Sequence, residues 1–193
     1  MSLVIAFIGK NGAVMAGDMR EISFQGEKPE MEKLEKELYS GALVTDDELT
    51  KKAEELKVKI NVTDFKNKVS EREGILIGEV SSFEDGVVKK RRLYVSAGNY
   101  AIAELRNSEI TLTSHGKGSN FIAFGNEFTK QTANKCFQDN WTKKSNFQDA
   151  VKILKLSMET VAKKTASVSN QFVLIQTVSN NDVLKAIEED RQS

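Results

Sequence analysis

The chain has 193 residues, with 28 Lys plus Arg balanced by 28 Asp plus Glu, one cysteine and one histidine. A formal net charge of zero argues against nucleic-acid binding through bulk charge, because phosphate neutralisation needs a basic surplus, and leaves only the run Lys89-Lys90-Arg91-Arg92 as a local patch. No segment approaches the roughly 20 apolar residues of a membrane span, a lone Cys136 excludes an internal disulfide and fits a reducing, cytoplasmic compartment, and the length suits one domain with a substantial core.

In chain order, residues 2–20 predict a β-hairpin. An apolar strand over Leu3–Ile8 meets a Gly9-Lys10-Asn11-Gly12 turn, and a second strand over Ala13–Ala16 delivers Asp18 and Arg20. The first run is too short for a signal-peptide core and lacks a basic flank. Residues 21–74 change composition to charged and mostly helical. Pro29 is placed to open a helix with Met31, Leu34, Leu38 and Tyr39 at helical spacing. Thr45 and Glu48 form a capping box before Leu49, Ala53 and Leu56, and residues 58–62 alternate as a strand. Residues 75–83 and 87–97 read as a second strand pair. Residues 100–105 are expected as a short helix, 110–114 and 120–124 as strands, and Asn126 as the cap of a helix running to about Asn140. Ser145 and Gln148 suggest another capping box, before a helix with Phe147, Ala150, Val151, Leu154, Met158, Val161 and Ala162 on one face. Phe172–Val178 reads as a last strand and Asp182–Arg191 as a terminal helix.

Ser2 stands where a strand begins, preceded only by Met1. Met aminopeptidases remove Met before a residue this small. Processing would leave a hydroxyl and a free α-amine on one residue, the minimal machinery of an N-terminal nucleophile hydrolase: the hydroxyl attacks and the amine, with a pKa of about 7.7–8.0, accepts its proton.

A small hydroxyl residue, an apolar strand, a G-K-x-G turn and A-x-D-x-R together resemble the start of a proteasome β subunit. The closer resemblance, over nearly the whole chain, is to Connectase, the archaeal protein ligase family related to those subunits. It includes the segments Gly26-Glu27-Lys28-Pro29, Leu34–Gly41, Lys89–Tyr94 and Phe124-Gly125-Asn126. The resemblance implies an α+β fold, a four-layer αββα sandwich, in which residues 21–74 are an insertion expected to bind substrate. It implies Ser2 as nucleophile and Asp18 as the acid that anchors a cation and orients the amine. The proteasome's catalytic lysine falls on Arg92, a departure because an arginine cannot pass protons, or on Lys90, two residues away on the same strand face. Gly98 matches the glycine whose N–H forms the oxyanion hole, and Ser167 a serine that hydrogen-bonds the N-terminus. Lys164 stands where an acidic residue usually precedes that serine by three.

The resemblance further implies a transpeptidase. Connectases cleave the Asp-Pro bond of a Lys-Asp-Pro-Gly-Ala sequence, keep the N-terminal fragment, and pass it to a polypeptide that begins with Pro. The family's partner is a subunit of the methanogens' membrane methyltransferase. No cofactor, metal, nucleic acid or membrane insertion is expected, and the chain is expected as a monomer or small oligomer. A peptidase or amidase using the same site, and a non-catalytic binding protein on the same fold, are the competing readings. Cys136 reads as core packing and His115 as a loop residue. Gly116–Asn120 lacks the full P-loop pattern and reads as a turn.

Overall fold

The computed structural model describes residues 3–84, 87–107 and 109–192. The elements run β1 (Val4–Gly9), β2 (Gly12–Asp18), β3 (Glu21–Gln25), α1 (Lys28–Tyr39), α2 (Asp46–Glu55), β4 (Lys59–Thr63), β5 (Val69–Arg72), β6 (Ile75–Glu84), β7 (Val87–Ser96), β8 (Asn99–Arg106), β9 (Glu109–Lys117), β10 (Asn120–Phe124), α3 (Glu127–Asn140), α4 (Phe147–Ala162), β11 (Phe172–Thr177) and α5 (Val183–Gln192). They make three antiparallel sheets: β10-β1-β2-β11, the pair β3-β4, and β5-β6-β7-β8-β9.

β1 and β2 are buried on both faces, which is why they read as unbroken apolar runs. Leu3, Ile5, Phe7, Val14 and Ala16 face α3 and α4, while Val4, Ala6, Ile8, Ala13 and Met15 meet Leu76, Leu93 and Val95 of the five-stranded sheet. Glycine lets the sheets approach at one end: a Cβ on Gly17 would lie 2.8 Å from Val69 Cγ1, and one on Gly78 2.7 Å from Val4 Cγ1.

The expectation of a four-layer αββα sandwich is overturned. The structure is mostly antiparallel sheet with five helices among the described residues. On the outer face of the five-stranded sheet the ten-residue α5 stands alone, covering Ile75, Tyr94, Ala101 and Ala103 through Val183, Ala186 and Ile187. A third sheet, β3-β4, packs with α1 and α2 around its own core of Leu34, Leu38, Leu49, Ala53 and Val58. One face of an antiparallel sheet can be left open to water, so no second helical layer is required.

Local expectations differ at three places. Residues 100–105 are strand β8, not a helix: they are nearly all apolar, so periodicity could not separate the two states, and burial alternates with Ala101 and Ala103 innermost. The cap before α4 is one residue later than expected, a reciprocal box in which Asn146 Oδ1 accepts from the Asp149 N–H at 3.2 Å and Asp149 Oδ2 accepts from the Asn146 N–H at 2.9 Å. β5 belongs to the five-stranded sheet, joined to β6 through Glu73 and Gly74, both with positive φ as a tight primed turn requires. The segment with its own core therefore ends near residue 64. Among the described residues no helix is long and apolar enough to cross a membrane.

Candidate active site

The end of β2 meets the beginning of β1 at Asp18. Asp18 and Leu3 are fully buried, and their main chains are tied by a hydrogen bond from the Asp18 N–H to the Leu3 carbonyl at 3.0 Å. In return Leu3 donates its N–H to Asp18 Oδ2 at 2.7 Å. Asp18 Oδ1 accepts from the Arg20 N–H at 2.8 Å and pairs with Lys68 Nζ at 2.8 Å. Lys68 Nζ also donates to the Arg20 carbonyl at 2.7 Å. The lysine side chain is 3% exposed. Burial pushes its ammonium below the ordinary lysine pKa, and the Asp18 carboxylate only partly offsets this.

The Arg20 side chain fixes the surroundings. Its guanidinium donates to Asp64 Oδ1 and Oδ2 at 2.9 and 3.0 Å, to Asp46 Oδ1 and Oδ2 at 2.5 and 3.1 Å, and to the Ala166 carbonyl at 2.7 Å. Bidentate pairing of this kind suits the planar fork of arginine. Hydrogen bonding to Asp64, against burial and aided by Asp46, raises the Arg20 pKa, while Asp64 is held below the usual carboxylate range chiefly by Arg20. Asp46 opens α2 and Asp64 follows β4, so the segment with its own core is clamped to the end of β2.

Ser2 lies outside the described residues. Ser167 is buried in the segment that Arg20 holds; its Oγ accepts from Thr165 Oγ1 at 2.9 Å, and its N–H donates back to that oxygen at 3.1 Å. Lys90 and Arg92 do share one face of β7, as their spacing requires, but both place their charge on Glu79: Lys90 Nζ at 3.0 Å and Arg92 Nη2 at 2.6 Å. Arg92 Nη1 also reaches Asp190 at 2.7 Å. Burial would raise Glu79, but Arg92 and Lys90 outweigh it and keep its carboxyl low. The partner of Asp18 is Lys68. Gly98 is at the wrong end of the sheet: its N–H donates to the Gly9 carbonyl at 2.9 Å, and Gly9 is six residues of strand, roughly 20 Å, from Leu3. An oxyanion role for Gly98 at this site is therefore corrected.

Sequence reasoning missed Lys68 by folding it into the insertion. The available signal was the Arg72-Glu73-Gly74-Ile75 turn, which marks a hairpin starting just after Lys68. A groove of about 440 Å³ opens beside the site. Lys68, Arg20, Glu21 and Ile22 form one side, while Ser81 and Arg92 stand on the open outer face of the five-stranded sheet. A second cleft of about 360 Å³ lies across Arg20, between Thr45–Asp47 and residues 162–170. Among the described residues no cluster of three or more His, Cys, Asp or Glu side chains could hold a metal ion.

The family described as "Connectase MJ0548-like, N-terminal domain" matches residues 1–192. No curated protein sequence matches the chain. Among solved structures, the chain is similar to Anbu, an ancestral β-subunit, from Yersinia bercovieri, at 8% identity and TM-score 0.41 over 98% of this chain and 91% of that one. It is also similar to Anbu from Hyphomicrobium sp. strain MC1, at 10% identity and TM-score 0.46 over 98% and 92%. The helical assembly of the Anbu complex from Pseudomonas aeruginosa gives 10% identity and TM-score 0.41 over 98% and 91%.

Proposed function

The chain belongs to the Connectase family over residues 1–192, and from that premise we propose that it is a sequence-specific protein ligase using Ser2, freed by removal of Met1, as an N-terminal nucleophile. The observation that carries this reading is the buried Asp18–Lys68 pair fastened to the Leu3 N–H, one bond from the carbonyl carbon of Ser2. A lysine with a lowered pKa is neutral more often than a free one and can relay a proton or stabilise a developing alkoxide. Ser167, in the segment that Arg20 holds, is proposed to help hold the amine.

The chemistry balances without a cofactor. The Ser2 hydroxyl oxygen bonds to the Asp carbonyl carbon of a Lys-Asp-Pro-Gly-Ala sequence, its proton passes to the α-amine, and the carbonyl π pair moves onto oxygen. Collapse restores the carbonyl, breaks the bond to Pro nitrogen and delivers the proton there, leaving an ester. Attack by the amine nitrogen exchanges C–O for C–N and returns a proton to the hydroxyl. The resulting amide resists water and is nearly isoenergetic with the bond broken, so exchange with a second Pro-initiated chain needs no energy input. The groove and the second cleft, on either side of Arg20, offer room for two polypeptide segments. A methyltransferase subunit is the physiological partner this reading implies.

Intact mass spectrometry tests it. The purified chain should lack Met1 and, with a Lys-Asp-Pro-Gly-Ala peptide, gain the mass of the N-terminal fragment. Adding a second Pro-initiated peptide should give a fused product, and Ser2→Ala should gain nothing. Predominant release of a free Asp carboxylate would mean a peptidase, and no adduct with Met1 absent would mean a binding protein.

A further inference from the structure

Five cations line the groove beside the Asp18–Lys68 pair, and four of them are held fast. Arg20 spends all five of its N–H donors on Asp46, Asp64 and the Ala166 carbonyl. Lys68 is 3% exposed and committed to Asp18. Arg72 and Arg92 are tied to Asp190 at the end of α5, at 2.6 and 2.7 Å, and each has a further partner, the Ala186 carbonyl for Arg72 and Glu79 for Arg92. Lys66 differs. Its side chain is 49% exposed, and it pairs with Glu21, which is 50% exposed. An ion pair so open to water contributes little to stability, so either member can change partner at small cost.

The pair stands where the acyl-donating residue of a substrate would lie. Lys66 is two residues from Lys68, roughly 7 Å along an extended chain, and both line the groove. The Lys66 N–H donates to the Met19 carbonyl at 3.0 Å, which fixes its backbone beside Asp18 and Arg20. Behind burial and Asp18, the charges of Lys66 and Glu21 also act on the Lys68 ammonium, the first lowering and the second raising its pKa, so the pair sits within electrostatic reach of the candidate chemistry. A carbonyl carbon brought to the nucleophile beside Lys68 carries its own side chain two bonds away, within reach of a lysine two positions off.

We propose that Lys66 is the specificity-determining residue of the groove: its Nζ leaves Glu21 and binds the side-chain carboxylate of the residue whose acyl group is transferred. The inference rests on the proposed function and names what reads the acidic residue before the bond that breaks. Glu21 is then a built-in stand-in, a carboxylate that holds the ammonium in place until the substrate's own arrives. A substrate with an amide at that position brings no charge to displace Glu21, and a site built for a specific polar partner discriminates strongly against an analogue that lacks it. Arg20, Arg72 and Arg92 keep their partners throughout, so only one weak pair opens when substrate binds.

Two peptides and two variants test this. Adduct formation is followed by mass over a range of concentrations with Lys-Asp-Pro-Gly-Ala and with Lys-Asn-Pro-Gly-Ala, and wild type should favour the first. Lys66→Gln, at a half-exposed position, should lose about 10- to 100-fold in kcat/KM with the Asp peptide, the worth of a charge-assisted hydrogen bond, while the Asn peptide is left as it was. Glu21→Gln removes the internal competitor and should lower KM for the Asp peptide about two- to fivefold, the worth of an exposed ion pair, with the rate at saturation as in wild type. Equal use of both peptides by wild type, a Lys66→Gln chain that keeps the Asp preference or loses both peptides equally, or an unchanged or raised KM in Glu21→Gln would each overturn the proposal. Those results leave the proposed function standing. A wild-type chain lacking Met1 that forms an adduct with neither peptide defeats both.

Discussion

Lys68 is the residue on which the candidate chemistry turns, and its burial makes definite expectations. Its depressed pKa means that the neutral form grows as pH rises toward a value below the ordinary 10.5. Adduct formation should therefore accelerate with pH on its alkaline side, and Lys68→Arg, which stays protonated, should flatten that rise while keeping the charge beside Asp18. Stability moves in the same direction: above the folded pKa the unfolded chain binds more protons, so stability increases with pH up to about 10.5. Lys68→Ala strands a buried carboxylate and should cost roughly 3–5 kcal/mol in denaturant unfolding. Lys90→Ala, a control whose charge rests on Glu79 at a half-exposed position, should leave the adduct rate near wild type. Asp18 was legible because it sits at fixed spacing from a recognisable hairpin. Lys68 was not, because a lone lysine in a charged stretch has no local signature; its environment comes from residues 18 and 20, far away in sequence.

At the scale of elements, the site depends on how closely β5 runs past β2. Gly17 has no side chain where Val69 Cγ1 would be 2.8 Å and Lys68 Cβ 3.4 Å from a new methyl. Gly17→Ala must push β5 outward, and overpacking of this kind costs about 1–3 kcal/mol. The expected signature is a modest fall in melting temperature with a larger fall in adduct rate, since Lys68 leaves Asp18 before the sheets separate; an unchanged rate would show that the approach serves packing alone. β1, β2, α1, α2, α3 and β11 were readable from periodicity and caps. The short β5 and the mostly apolar β8 were not, because a four-residue strand carries too little pattern and the apolar run over residues 100–103 carries no more. Gly98 was misassigned for a related reason: a glycine after a strand looks the same whichever end of the sheet that strand reaches.

Seen whole, the molecule keeps one helix-covered sheet and leaves part of the other open, and the groove lies over that open part. Sequence alone could not have given this, because whether a sheet face is covered depends on how far α5 extends across it. The end of α5 is held by Asp190, which accepts from Arg72 at 2.6 Å, Arg92 at 2.7 Å and Tyr94 at 2.5 Å. Burial would raise this carboxyl, but these donors keep it below the usual range; Tyr94, buried and facing the carboxylate, is pushed up to about 12. The stability Asp190 supplies is therefore present above the unfolded carboxyl pKa and drains away as pH falls through the lower folded value. Asp190→Asn should flatten that acid limb and speed amide hydrogen exchange over 188–192 more than over 183–187, where Val183, Ala186 and Ile187 remain buried.

The Leu3–Asp18 link, with its ties to Lys68 and onward through Arg20 to Ala166, also orders events in time. Leu3 comes before its partners in synthesis, which follow 15, 65 and 163 positions later along the chain. On the proposed function, a chain that stops short of residue 166 would carry Ser2 with little around it to make it reactive. The splicing chemistry proposed for this chain would thereby be withheld until those partners exist, a safeguard written into chain order rather than into a removable inhibitor.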